Sequence, residues 1–140
     1  MIKAVLFDLD GTLVNSLFDL AASTNYALDK MGFPTHITEK YKYFVGNGMP
    51  KLIERALPEN CRTPEICSKT LEIFSAHYHE HYADETCEYQ GISQLLESLT
   101  KSGVKMAVVT NKAQEFAKAV VVKTVGDVFQ IVCGKQEGYP

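Results

Sequence analysis

Two carboxylates, Asp8 and Asp10, stand two positions apart directly after a short apolar run near the N-terminus. On an extended or tightly turning segment, such a pair can divide the chemistry, one acting as a nucleophile or metal ligand and the other carrying a proton. Gly11 allows the backbone to turn close to a ligand, and Thr12 can orient a carboxylate by hydrogen bonding. These residues predict a reactive or metal-binding turn.

A second polar cluster, Thr110-Asn111-Lys112, follows an apolar run at 104–109. In open α/β sheets, ligands bind beyond the carboxyl ends of the strands. Because Asp8 and Asp10 follow one predicted strand and this cluster follows another, we expect both groups at the same edge of one sheet. Lys112 fits either an active-site cation or a solvated residue at the start of a helix.

The elements that must position these residues are predicted by hydrophobic periodicity and by capping signals such as Ser16 and Thr63-Pro64. The predicted strands cover 3–7, 104–109 and 129–133, and the predicted helices cover 17–31, 49–57, 63–82, 92–100 and 114–123. This order predicts an α/β fold, with a parallel sheet and a helical bundle inserted after its first strand.

Composition and charge exclude several classes of protein. Hydrophobic residues make up 46% of the 140 residues, which is enough for a core and argues against intrinsic disorder. The 14 basic and 17 acidic residues give a net charge of −3, and without a cationic run this argues against nucleic acid or a membrane as a partner. The apolar runs are too short to span a bilayer, and no signal peptide is evident. We therefore expect a cytoplasmic protein whose four cysteines are reduced.

The motifs resemble those of a known family. The run from Phe7 to Val14 resembles the first signature of the haloacid dehalogenase (HAD) superfamily of phosphatases, and the run from Val108 to Lys112 resembles its second. The segment from Ser16 to about Tyr82 resembles the helical cap of the phosphoglycolate phosphatase-like subgroup. This resemblance implies a HAD-like, Rossmannoid parallel-sheet core at 1–14 and 84–140, with an α-helical cap inserted at 15–83.

The resemblance also implies a mechanism. Asp8 would attack phosphorus and form an aspartyl-phosphate, while Asp10 would protonate the leaving alkoxide and later deprotonate the hydrolytic water. Mg²⁺ would be held by the Asp8 carboxylate and the Asp10 backbone carbonyl. The substrate would be a small phosphorylated metabolite, with 2-phosphoglycolate favoured by the subgroup. The residues implied to bind it are Thr110, Asn111 and Lys112 in the core, and Gly46, Asn47 and Gly48 in a cap loop that by itself also fits a helix-entry turn.

Two motifs of the family are not found in the sequence, namely a lysine followed by proline after the third strand and an acidic pair after a fourth. Lys135 lies near the first of these but lacks the proline, and Asp127 follows a helix, which predicts a loop residue rather than a metal ligand. With only three strands predicted, the core is expected to be C-terminally incomplete, with apolar faces exposed.

Other functions stay open on the sequence alone. A β-phosphoglucomutase-like phosphosugar mutase would share the first motif. A binding domain of the phospho-acceptor type is a second alternative, although such receivers carry the accepting aspartate after a later strand. A catalytically inactive fragment is a third. The oligomeric state is not predicted.

Overall fold

A computed structural model of the chain describes residues 1–136. The chain divides into two compact units, one formed by Met1–Ser16 with Thr86–Pro140 and the other by Leu17–Glu85. We call them the α/β unit and the helical unit. In chain order the elements are β1 (Ala4–Phe7), β2 (Val14–Asn15), α1 (Leu17–Lys30), α2 (Met49–Ala56), α3 (Pro64–His81), β3 (Cys87–Glu88), α4 (Ile92–Lys101), β4 (Lys105–Ala113), α5 (Gln114–Thr124) and β5 (Ile131–Lys135).

The α/β unit is built on a three-stranded parallel sheet in the order β1-β4-β5. Phe7 at the end of β1 pairs with Val108 of β4, which in turn pairs with Val132 of β5. The carboxyl ends of the three strands therefore lie at one edge. Within β4, Met106 and Val108 are buried, and α5 buries an apolar face of its own in the same unit, formed by Phe116, Ala117, Val120 and Val121.

Other apolar side chains of the sheet are open to solvent. Leu6, Val109 and Ile131 are 71%, 50% and 62% exposed. Parallel sheets are ordinarily covered on both faces. The structure therefore confirms the expectation that the core presents exposed apolar surface.

The helical unit packs α1 against α3 and α2 against α3, with 3₁₀ helices at Thr38–Tyr43 and Glu59–Cys61. Phe74 and Tyr78 of α3 are fully buried. The start of α3 follows from local sequence: Thr63 accepts a hydrogen bond from the Ile66 N–H at 3.2 Å, and Pro64 opens the helix where no N–H is needed.

The structure confirms the predicted α/β fold and its inserted helices, but three details differ. β4 does not end before Thr110 and continues to Ala113. β5 covers Ile131–Lys135 rather than 129–133, so it begins two residues later and continues through Gly134, while Phe129 packs edge-on against Phe7 with 6.1 Å between ring centroids. The short antiparallel pair β2–β3 is not predicted by periodicity, since each strand has only two residues. Among residues 1–136, no helix has the length and hydropathy needed to cross a bilayer.

Candidate functional site

Asp8 is the residue immediately after β1, and its side chain is exposed. Its Oδ1 atom accepts a hydrogen bond from the Leu9 N–H at 2.8 Å, which orients the carboxylate along the turn. Because Phe7 pairs with Val108, Asp8 lies at the level where β4 passes from Val109 into Thr110. The structure therefore places Asp8 at the carboxyl edge of the sheet, beside the second polar cluster.

A tight turn separates Asp8 from β2. The Leu9 carbonyl accepts hydrogen bonds from the N–H groups of Thr12, Leu13 and Val14 at 3.0 to 3.2 Å, and the Gly11 N–H donates to the Val14 carbonyl at 2.9 Å. Gly11 has φ of +82°, a conformation that side chains other than glycine rarely adopt. Leu9, Leu13 and Val14 are fully buried, and this anchors a turn whose polar residues must stay at the surface.

Asp10 is held by two donors. The Lys112 Nζ lies 3.0 Å from Oδ1 and 3.3 Å from Oδ2, and the Ser16 hydroxyl donates to Oδ1 at 2.5 Å. The Lys112 side chain is 2% exposed and that of Asp10 is 20% exposed. Of the two interpretations that the sequence leaves for Lys112, burial argues against the solvated surface residue, and the active-site cation stays a prediction. The ion pair joins positions 102 residues apart in the chain.

A bulge in β4 carries Lys112 to this position. Val109 pairs with Cys133 and Ala113 pairs with Lys135, so that four residue steps in β4 face only two in β5. The extra residues are drawn from Thr110–Lys112, and the Lys112 N–H donates to the Thr110 hydroxyl at 3.1 Å. β-Bulges change the direction in which side chains point and often lie near functional sites. Here the residues predicted to follow the strand instead form an irregular segment within it.

Gly134 and Gln114 support the bulge from the β5 side. The Gln114 side-chain amide donates to the Val132 carbonyl at 2.8 Å, and its Oε1 accepts from the Gly134 N–H, so that it bonds β5 backbone groups beside the bulge. A Cβ added at Gly134 would lie 2.6 Å from the Lys112 carbonyl oxygen and 2.8 Å from the Gln114 Cα. Glycine is therefore required here for close backbone approach.

We expect Gly134→Ala to push the bulge away from β5 and to disturb the pair between Lys112 and Asp10. Because the clash is with backbone atoms, overpacking should cost about 1–3 kcal/mol of stability, as measured by urea unfolding. Cys133→Ala, at an exposed neighbouring position of β5, is the control and should be nearly neutral. Equal stability of the two variants would contradict the tight contact.

The remaining predicted residues are placed as follows. Asn111 is exposed and lies in the bulge beside Thr110. Gly46, Asn47 and Gly48 lie in the helical unit just before α2, where Gly46 and Gly48 have φ of +112° and +92°. A role for these five residues and for Lys112 in binding substrate stays a prediction. Lys135 is exposed at the end of β5, and Asp127 lies exposed in the loop after α5, as the sequence predicts.

The donors at the edge of the sheet suit a hard cation. The Asp8 carboxylate is exposed. The β-bridge between Asp10 and Val14 is made by hydrogen bonds of the Leu9 carbonyl and the Gly11 N–H, which lie on either side of the Asp10 carbonyl along the chain. Neither of these hydrogen bonds uses the Asp10 carbonyl itself. Mg²⁺ takes oxygen ligands, typically one or two from the protein with the rest from water and phosphate. Residues 1–136 contain no group of three or more His, Cys, Asp or Glu side chains placed to hold a metal ion. The donor set therefore fits Mg²⁺ but leaves most of its coordination to other ligands.

A family model described as haloacid dehalogenase-like hydrolase matches residues 5–138. Since the match covers nearly the whole chain, the protein belongs to this family. The family inferred from the two motifs is confirmed.

The relatives that it resembles carry one recurrent name. The chain is 40% identical over 118 residues to "Phosphoglycolate phosphatase" of Pseudomonas syringae pv. tomato, covering 81% of this chain and 43% of the relative. It is 31% identical to the protein of that name from Aquifex aeolicus, covering 94% and 60%. The crystal structure of a predicted phosphoglycolate phosphatase from Haemophilus somnus superposes with a TM-score of 0.86 at 30% identity, covering 96% of this chain and 63% of that one. The chain thus spans roughly half the length of the two curated relatives.

Proposed function

We propose that the protein is a Mg²⁺-dependent phosphatase that hydrolyses a small phosphate monoester through an aspartyl-phosphate on Asp8. The observation that carries the proposal is the position of Asp8, an exposed carboxylate at the carboxyl edge of a parallel sheet, two residues from a second carboxylate fixed by Lys112 and Ser16. This arrangement combines an accessible nucleophile with an oriented partner for proton transfer.

In this mechanism a carboxylate oxygen of Asp8 attacks the phosphorus atom, and the bond from phosphorus to the leaving alkoxide breaks. Asp10, which must hold a proton at this step rather than pair as a carboxylate with Lys112, donates that proton to the alkoxide. A water molecule then attacks the phosphorus of the aspartyl-phosphate, losing a proton to Asp10, and inorganic phosphate leaves with Asp8 restored. The bulge residues Thr110 and Asn111 supply hydroxyl and amide groups toward the phosphate, and general acid–base catalysis by Asp10 contributes about 10²–10⁴ in rate.

Charge repulsion explains why a cation is needed. A carboxylate about 4 Å from a phosphate oxygen meets roughly 4 kcal/mol of repulsion per charge pair at an effective dielectric constant near 20. Lys112 cannot by itself offset this repulsion, because its charge is already paired with Asp10. Mg²⁺, held by the Asp8 carboxylate and the Asp10 carbonyl, would supply the charge stabilisation.

The names of the relatives support 2-phosphoglycolate as the substrate that we favour. The free cysteines, Cys61, Cys67, Cys87 and Cys133, support a cytoplasmic location, where thiols stay reduced. A phosphate-release screen over small phosphate monoesters tests the substrate. A preference for another monoester would reject 2-phosphoglycolate while leaving the reaction type in place.

We expect the 140-residue chain to hydrolyse p-nitrophenyl phosphate slowly in Mg²⁺ and not at all in EDTA. The rate should fall below that of the intact Aquifex aeolicus relative by about 10²–10³ or more, the usual effect of losing one charge-stabilising group. The reason is that, among the described residues, the site offers the phosphate no dedicated cation besides the paired Lys112. Release of phosphate that is insensitive to EDTA would contradict the proposal, and turnover as fast as that of the relative would contradict this view of the donor set.

A further inference from the structure

A cavity of about 410 Å³ lies in the helical unit, between the end of α2 and the segment that contains the first 3₁₀ helix. Its lining includes the cationic side chains of Lys40, Arg55 and Arg62, together with the rings of His36 and Phe44. We call it the cationic pocket. All of these residues belong to one compact unit. Its volume is within the range of pockets that bind small molecules.

The basic side chains that line the cationic pocket are not offset by acidic ones in the same lining. No carboxylate lines it. Within residues 1–136, the lysines that form salt bridges are Lys51, Lys101 and Lys112. In the same range Lys40 forms none, and neither do the two arginines of the pocket. Three like charges around one cavity repel one another, and a bound anion would relieve this repulsion.

The two arginines are held in place by backbone carbonyls. An Nη1 N–H of Arg55 donates to the Phe44 carbonyl at 3.2 Å, and Arg62 donates from Nε to the Leu57 carbonyl at 3.1 Å and from Nη2 to the Arg55 carbonyl at 3.3 Å. These contacts stabilise the end of α2. They occupy only one of the five N–H groups of Arg55 and two of the five of Arg62. The remaining N–H groups can donate to an anion, and a pre-oriented guanidinium loses little freedom on doing so.

The rest of the lining consists of apolar side chains and the His36 ring. Leu57 and the Phe44 ring form part of the wall, and the His36 ring meets that of Phe44 edge-on with 5.3 Å between centroids. The His36 Nε2 lies 2.8 Å from the Ala56 carbonyl oxygen, which fixes the ring against α2. A low-polarity wall strengthens the attraction between the fixed cations and an anion beside it.

We propose that the cationic pocket binds a small multivalent anion bearing phosphate or carboxylate groups. The site is made by the helical unit alone and does not depend on Asp8 or Asp10. The ligand would bridge Lys40 with the N–H groups that Arg55 and Arg62 leave available. Binding would stabilise the helical unit in proportion to the ligand concentration.

Isothermal titration calorimetry of the 140-residue chain in metal-depleted buffer without a chelator, with pyrophosphate and with citrate as probes, tests the site. The double variant Lys40→Gln/Arg62→Gln removes two exposed charges of the pocket, and Lys51→Gln/Lys69→Gln removes two exposed charges outside it. We expect the first variant to weaken binding at least tenfold and the second to change it less than twofold. Far-UV circular dichroism should show both variants folded.

The two probes distinguish the sources of the anion. Binding of pyrophosphate without citrate supports the pocket as a site for phosphorylated ligands, and binding of citrate supports carboxylate ligands as well. The site is rejected if neither probe binds saturably at millimolar concentration, or if both double variants weaken binding equally. Asp8→Asn should bind both probes as the unaltered chain does, and tighter binding in that variant, which removes a carboxylate that repels anions, would assign the effect to the edge of the sheet instead.

Discussion

Asp8→Asn is expected to abolish Mg²⁺-dependent phosphate release, lowering the rate by at least about 10³, since removing a nucleophile removes the covalent path. The amide has the shape of the carboxylate and can still accept the hydrogen bond from the Leu9 N–H. Because Asp8 is exposed, the variant should fold and unfold like the unaltered chain. Release of ³²P-labelled phosphate from a labelled monoester gives the sensitivity that a slow reaction needs.

Asp127→Asn is the matched control, because it makes the same chemical change at an exposed loop carboxylate of the same unit. This variant should keep the full rate. If Asp8→Asn released phosphate as fast as Asp127→Asn, Asp8 would not be the nucleophile.

Lys112→Met should destabilise the α/β unit by about 2–4 kcal/mol, somewhat less than the cost of breaking a fully buried pair, since Asp10 is 20% exposed. Methionine fills much of the space of the lysine stem but leaves the Asp10 carboxylate with only the Ser16 hydroxyl of its two donors. Urea unfolding measures the loss, and amide hydrogen exchange in β1 and β4 locates it.

Two further variants separate the ion pair from simple packing. Asp10→Asn combined with Lys112→Met should recover part of the stability, because no unpaired charge remains. Lys101→Met breaks the exposed pair with Glu97 and should cost less than about 1 kcal/mol. A loss in Lys112→Met no larger than that in Lys101→Met would show that the pair with Asp10 contributes little.

Local sequence was enough to predict one half of the site. An apolar run ending in Asp8 predicts a strand followed by a reactive turn, and the glycine at position 11 has the positive φ that this turn requires. The start of α3 is predictable for the same reason, as Thr63 caps this helix through a hydrogen bond to a residue three positions on. Signals of this kind depend only on residues that lie a few positions apart in the chain.

The other half depends on contacts that local pattern does not encode. The bond between Lys112 and Asp10 spans most of the chain, and the bulge that makes it possible arises from the pairing of β4 with β5. Gly134 is a signal that could have been noticed, although an isolated glycine in a strand indicates either a bulge or a close approach and does not say which residue it admits. The sequence shows that Lys112 carries a charge, and the structure adds that this charge pairs with Asp10.

Borohydride trapping of the phosphorylated residue tests the central claim most directly. The 140-residue chain is incubated with Mg²⁺ and p-nitrophenyl phosphate, quenched during turnover and reduced, so that an aspartyl-phosphate becomes homoserine and is located by peptide mass spectrometry. We predict homoserine at Asp8, absent in EDTA and absent from Asp8→Asn. Homoserine at Asp10 or elsewhere, or Mg²⁺-dependent phosphate release that leaves Asp8 unmodified, would contradict the account.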